Sequence, residues 1–361
     1  MKNLLRVLLL LFCLIILVGC WDGSELSEIG FVTAMSIDID EDNDNIYAVA
    51  LEIPKITHDN QDPQRAVKSG AHRSLNAAVY NIGASTERKI FLGHMKALIC
   101  GEELLEDAGM FRHAIDTLTK DSNVSRTLLV LAAEGRGSDV MESNTVDENL
   151  LGAYIANFFH KKNTQTANRK ALDCLPRHFS EGTIAIIPRL KADGDGITFS
   201  GAAIVYEYEL KGWLDENELL GLSWLNSKDA HLSLDVDGDD YSFGIDISKY
   251  KSRITFFERG DELYATIIIE LEGDLEESPD TENIPVTTFE QKAEEHIQSD
   301  LQKAFDALYV RMGVDGFSLR REFEKNYPKL YEHHLSAGSS AMDIPILFDI
   351  NVKINSTGNM I

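Results

Sequence analysis

Positive charge is scarce in this chain: 34 lysines and arginines stand against 59 aspartates and glutamates, a formal net charge of −25. A nucleic-acid binder needs a basic face to meet phosphates, so that class is excluded. The same deficit means that charge alone does not hold the protein to an anionic leaflet, which attracts basic segments. Cysteine is nearly as rare, with four in 361 residues and no CxxC pair, and the fold therefore does not depend on a disulfide framework. Cys100 closes the apolar run Ala97-Leu98-Ile99-Cys100 and reads as a buried free thiol. The ten histidines are scattered and only His333 and His334 are adjacent. No HExxH or similar spacing sets two imidazoles on one helical face, so a metal could be held only by residues distant in sequence. GxSxG, GxxxxGK[ST] and GxGxxG are all missing, which moves the expectation from catalysis toward binding or assembly. No catalytic, cofactor-binding or metal-ligating residue is assigned.

What is present begins at the N-terminus. Lys2 and Arg6 form a charged region ahead of the apolar run 8–18, and Gly19-Cys20 follows. This is the pattern of an export signal, and the run is too short to span a bilayer, which takes about 20 apolar residues. Leu17-Val18-Gly19-Cys20 resembles a bacterial lipobox, which implies that residues 1–19 are removed and that Cys20 carries a diacylglyceryl group. Two acyl chains anchor a protein stably where one is marginal. Trp21, beside the lipid, is placed to rest its indole among the headgroups.

Along the mature chain, apolar β-rich stretches at 32–39 and 46–53 flank Asp40-Glu41-Asp42-Asn43-Asp44-Asn45 and predict a hairpin. Leu75, Ala78, Val79 and Ile82 put a helix at 71–82. A second strand pair at 89–92 and 96–100 follows, then helices at 102–108 and 110–119, a strand at 126–133, a helix at 149–160 and a strand at 183–189. Asp193-Gly194-Asp195-Gly196 marks a tight turn and a boundary. Strands are expected at 199–209, 241–247, 253–257 and 263–272, interrupted by a helix at 216–225. An acidic linker at 273–285 leads to a strong helix whose stripe runs through Phe289, Ala293, Ile297, Leu301, Phe305, Leu308 and Met312. The chain closes on a strand in which Ile346, Phe348, Ile350, Val352 and Ile354 alternate with polar residues. The fold class is α+β: three small mixed αβ domains with largely antiparallel sheets, at 20–192, 196–275 and 284–358, after a cleaved lipoprotein signal peptide.

Two aspartate-rich segments invite a calcium reading and fail it. After Asp40, Asp42 and Asp44, position six is Asn45 rather than glycine and position twelve is Leu51 rather than glutamate. Asp235-Val236-Asp237-Gly238-Asp239-Asp240 has no glutamate at the required offset, so both are read as turns. Trp213 and Trp224 are read as core residues.

Four ordered blocks carry a resemblance. Gly19-Cys20-Trp21-Asp22 with Glu25-Leu26 and a strand ending in Ile37-Asp38 resembles the start of the Ger(x)C family of spore germination lipoproteins. Leu92-Gly93-His94-Met95-Lys96 with Gly101-Glu102-Glu103-Leu104 is similar to its next block. Gly201-Ala202-Ala203, Leu210-Lys211-Gly212-Trp213-Leu214, Glu218 and Gly221-Leu222-Ser223-Trp224-Leu225 follow. Asp315-Gly316-Phe317, Tyr327-Pro328-Lys329-Leu330 and Val352-Lys353-Ile354 match the last, although Tyr331 stands where the family pattern has tryptophan. The resemblance implies the C subunit of a nutrient germinant receptor. Such a subunit is a non-enzymatic scaffold or coupling component on the outer face of the spore's inner membrane, working with two integral-membrane subunits of the A and B type. It implies no cofactor. A solute-binding lipoprotein would instead show two doubly wound lobes, and a surface hydrolase would need a polar cluster, for which His94, Glu102 and Glu103 are the candidates.

Overall fold

The computed structural model describes residues 28–55, 64–86, 88–143, 150–160, 175–180, 182–194, 196–226, 233–237, 242–277, 284–335 and 341–356. Cys20, Trp21 and Cys174 lie outside them. A short strand β1 (Ile29–Phe31) leads into β2 (Ala34–Asp40), which pairs antiparallel with β3 (Asn43–Lys55), Ile37 opposite Val49. The expected hairpin forms. Its turn is closed by the side chains of Asp40 and Asn43, which accept from the backbone N–H of Asp42 and Asn45, the local device that favours these residues in turns.

β4 (Gln64–His72) adds to β3 and extends the sheet to an edge. Its residues Arg65, Lys68 and Ser69 show no apolar alternation, so the sequence gives no strand signal there, and the helix α1 (Leu75–Thr86) starts later than expected. β5 (Lys89–Phe91) and β6 (Ala97–Cys100) do not pair with one another. β5 joins β1 in a separate parallel pair, while β6 lies between β2 and β7 (Leu129–Ala133). The helices α2 (Glu102–Glu106) and α3 (Ala108–Lys120) connect β6 to β7, and Asp107 caps α3 by accepting from Met110 N–H at 2.8 Å. After β7 come α4 (Gly137–Glu142), α5 (Leu151–His160) and α6 (Leu175–Ser180).

β8 (Ala185–Asp193) and β9 (Gly196–Tyr206) are a hairpin about the expected turn, with Asp193 opposite Gly196. The segment expected as one strand at 199–209 is two. The chain reverses at Glu207 and Tyr208, both with positive φ (51° and 70°), into β10 (Glu209–Leu214). The first sheet therefore has the order β10-β9-β8-β7-β6-β2-β3-β4, and residues 196–214, placed by their sequence with the middle unit, pair into it.

The second sheet is built from β11 (Ser233–Val236), β12 (Phe243–Arg259), β13 (Glu262–Glu277) and β14 (Ile346–Ser356) in that order. The stretches 241–247 and 253–257 are parts of the single strand β12, with register shifts near Gly244 and Ser248. Between β10 and β11 lies α7 (Glu216–Asn226). Between β13 and β14 lie α8 (Val286–Phe305), a π-helical turn at Asp306–Arg311, α9 (Leu319–Asn326) and α10 (Pro328–Leu335).

Three apolar clusters hold these layers. One face of the first sheet carries Ile37, Leu51, Leu98, Val130 and Ala203 against α1, α3 and α6; the other carries Ala34, Ala50, Ile99 and Leu131 against α4 and α5. The second sheet buries one face under α7, α8 and α9, with Phe289, Ile297 and Leu301 of the predicted stripe at its centre. Each such large side chain contributes about 1.5–3 kcal/mol on burial. Sheets in the molecule are largely antiparallel, and the architecture is mixed α and β.

Candidate functional site

The elements meet where β10, α7 and the end of α8 converge on the start of α2. Glu102, at the first position of α2, accepts from Trp213 Nε1 through Oε1 and from Gly135 N–H through Oε2, both at 2.9 Å. Arg189 of β8 lies 5.8 Å from the Trp213 ring centroid and donates through Nε to the Ser200 carbonyl at 2.5 Å. Trp213 is half-buried and hydrogen-bonded, not enclosed in the core as its sequence suggested. Trp224 is enclosed, and its Nε1 lies 3.5 Å from Asp300 Oδ2, an acid that is 1% exposed.

A capping box starts α7. Glu218 N–H donates to Asp215 Oδ1 at 2.8 Å, and Asp215 N–H donates to Glu218 Oε2 at 2.9 Å, which is how an Asp-x-x-Glu spacing satisfies two orphan donors at once. The same Glu218 takes a bidentate contact from Arg311, at 2.7 and 3.0 Å, while Arg311 Nη2 also donates to the Trp213 carbonyl at 2.9 Å. Desolvation pushes the Glu218 carboxyl up, but the Arg311 hydrogen bond, the Asp215 N–H and the charges of Arg311 and Arg189 outweigh it, leaving the group below the ordinary carboxylate range.

Two glycines make this junction possible. A Cβ at Gly201, whose φ is +73°, would stand 2.0 Å from the Leu214 carbonyl oxygen, and one at Gly221 would stand 2.0 Å from that of Asp300. The second glycine is what lets α7 cross α8 closely enough for Trp224 to reach Asp300.

Both oxygens of Glu102 and both of Glu218 are committed to donors, so these carboxylates orient neighbouring elements and have little freedom to move a proton. His94 is elsewhere in the chemistry: its ring packs on Phe31 and Phe91 at 5.2 and 5.7 Å between centroids. The structure does not join it to Glu102. Cys100 is a buried free thiol, pushed well above the ordinary thiol range by desolvation and then by Asp38, and is inert as a nucleophile. Sequence reading missed Arg189 and Arg311. Arg311 carried one signal, its place in the last turn of the helical run that α8 begins, where a cation complements the helix dipole.

Glu102 comes from the second resembling block and Trp213 and Glu218 from the third, and two family descriptions, one for each half of the chain, cover them. The description "Spore germination protein N-terminal domain" matches residues 22–192, and "Spore germination B3/ GerAC like, C-terminal" matches residues 200–358. The chain belongs to the Ger(x)C family. Among curated Ger(x)C relatives, spore germination protein YndF of Bacillus subtilis (strain 168) is 23% identical over 98% of this chain and 96% of its own length. Spore germination protein B3 of the same organism is 21% identical over 100% of both, and protein KC is 25% identical over 65% of each. The crystal structure of the GerBC protein has a TM-score of 0.59 at 17% identity, covering 92% of this chain and 100% of that one. The fold is therefore shared with a Ger(x)C protein of known structure. Tyr331, the departure from the family pattern, packs its ring on Phe323 at 5.7 Å and accepts from Arg320 Nε at 3.3 Å.

Proposed function

We propose that this chain is the lipid-anchored C subunit of a nutrient germinant receptor, held at the outer face of the spore's inner membrane through Cys20. There it acts as a scaffold or coupling component for two integral-membrane subunits of the A and B type. The observation that carries the reading is the pair of family matches, which together run from residue 22 to residue 358 and begin two residues after Cys20. Among the described residues no helix is long and apolar enough to cross a membrane, and an acidic protein of this kind needs a covalent tether. From Cys20 to Glu28 the chain spans at most about 30 Å, at 3.3–3.6 Å per residue, so in this reading β1 starts within about 30 Å of the lipid.

The rival readings lack support. The second sheet joins its strands antiparallel except for β13 and β14, unlike a doubly wound solute-binding lobe. The polar groups a hydrolase would need are separated, with His94 among aromatic rings and Glu102 saturated by donors.

The deciding experiment is purification of the intact protein from spore membranes in mild detergent, with identification of what accompanies it. Two polytopic germination proteins are expected; transporter components would overturn the reading. Deleting the gene should block nutrient-triggered germination while sparing vegetative uptake, and Cys20→Ala should release the protein from the membrane.

A further inference from the structure

Far from the junction, at the tip of the second sheet, the two adjacent histidines meet an acid from another element. Glu258 lies near the end of β12 and His333 and His334 lie in the last turn of α10. His334 Nε2 is 2.7 Å from Glu258 Oε1, the two imidazoles stand nearly perpendicular at 5.0 Å between centroids, and one ligand atom from each of the three residues falls within 4.8 Å of the others. We propose that Glu258, His333 and His334 form a three-ligand site for a zinc-type divalent cation that fastens α10 to the end of β12.

The donor set decides the class of ion. Two imidazoles and one carboxylate suit zinc and its borderline neighbours, whereas calcium and magnesium take oxygen ligands. Bonds of about 2.0–2.1 Å in a tetrahedron put ligand atoms roughly 3.3 Å apart, so no pair has to close by more than about 1.5 Å, within reach of a rotamer change on exposed His333, and the Glu258–His334 pair at 2.7 Å opens slightly to admit the ion. A plain ion pair accounts for Glu258 and His334 but gives His333 no reason to converge on them. The setting favours a cation twice: the carbonyl end of α10 carries partial negative charge, and the whole protein carries −25, which raises the local concentration of counter-ions. The residues are exposed or half-exposed, so the ion has an entry path and a water can complete its shell. α10 itself is seated by Leu330 and Tyr331, only partly buried against the core, and a metal link there would secure it.

The test uses the full chain in detergent, without a histidine tag and stripped of metal by chelator, titrated with Zn2+ against a chromophoric chelator. One tight ion per chain is expected, weakened tenfold or more by His333→Ala and by Glu258→Gln, and left unchanged by His296→Ala, whose imidazole faces Asp300 at 3.6 Å. Zn2+ should also raise the melting temperature of the native chain and leave that of His333→Ala where it was, with the metal-free melting of the two alike. Absence of Zn2+ binding, binding indifferent to both substitutions, or a preference for Ca2+ or Mg2+ would each overturn the proposal.

Discussion

The first sheet is covered by helices on both faces and the second on one, and the polar contacts that finish the two run in opposite directions. In the first, strand carboxylates cap helices: Asp38 of β2 accepts from Gly137 and Ser138 N–H at 2.6 and 2.9 Å, and Glu52 of β3 accepts from Leu151 and Gly152 N–H at 2.6 and 3.0 Å. In the second, a helix caps a strand: Glu294 and Glu290 of α8 accept from Val352 and Ile354 N–H of the edge strand β14, each at 3.0 Å. A sheet enclosed on both faces must bury its charges to reach its helices. At β14 the acids of the covering helix instead occupy N–H groups of the edge strand, which keeps that edge from pairing with another chain.

The sharpest break in this comparison is Glu52→Ala. Glu52 is fully buried, also accepts from Thr33 Oγ1 at 2.5 Å, and lies 4.0 Å from Arg65. Its loss leaves two helix N–H groups without their acceptor and removes the charge that faces Arg65, and a cost of about 3–5 kcal/mol is expected in denaturant unfolding. Gly221→Ala should cost about 1–3 kcal/mol by forcing α7 off α8, with a change in the near-ultraviolet dichroism of Trp224. The double change Glu290→Ala with Glu294→Ala is expected to cost about 1–2 kcal/mol, at about 1 kcal/mol per hydrogen bond. Its clearer sign is new self-association by light scattering, which the same treatment of Asp38 or Glu52 would not produce through an edge. Arg311→Ala comes last, below about 1 kcal/mol, because the Arg311 side chain is 53% exposed and solvent screens the pair.

Acid titration sharpens the contrast. Glu218 sits below the ordinary carboxylate range, so its contribution to stability is present above that range and lost as pH falls through its folded value. Arg311→Ala should flatten that acid limb. Asp38 is raised, by burial first, against the Gly137 and Ser138 N–H groups and the Arg136 charge that pull it down. Its contribution is present at low pH and lost as pH rises through its folded value.

How much of this was legible follows from the same difference in covering. β13 buries Leu263, Ala265, Ile267, Ile269 and Leu271 and leaves the intervening residues partly exposed, so its period of two stood out in the sequence. β2 is buried almost throughout, Ser36 and Asp38 included, and could be read only as an apolar run. β4 escaped because an edge strand with lysine and arginine carries no apolar period, and α4 and α6 because six residues are less than two turns. The ends of β12 and α10, some 75 positions apart, share no local pattern. Adjacency of His333 and His334 was visible, but the acid that completes the group was not. At the junction, Glu102, Trp213 and Glu218 stood in the resembling blocks, while the two arginines that join them had no motif to announce them.

β9 alternates between two cores: Ala203 and Val205 point into that of the first sheet, Ala202 and Ile204 into that of the second. One strand is thus a party wall. A change of volume at Ala202 or Ala203 would therefore be felt in both halves, because the strand that yields to fit it lines the other core as well.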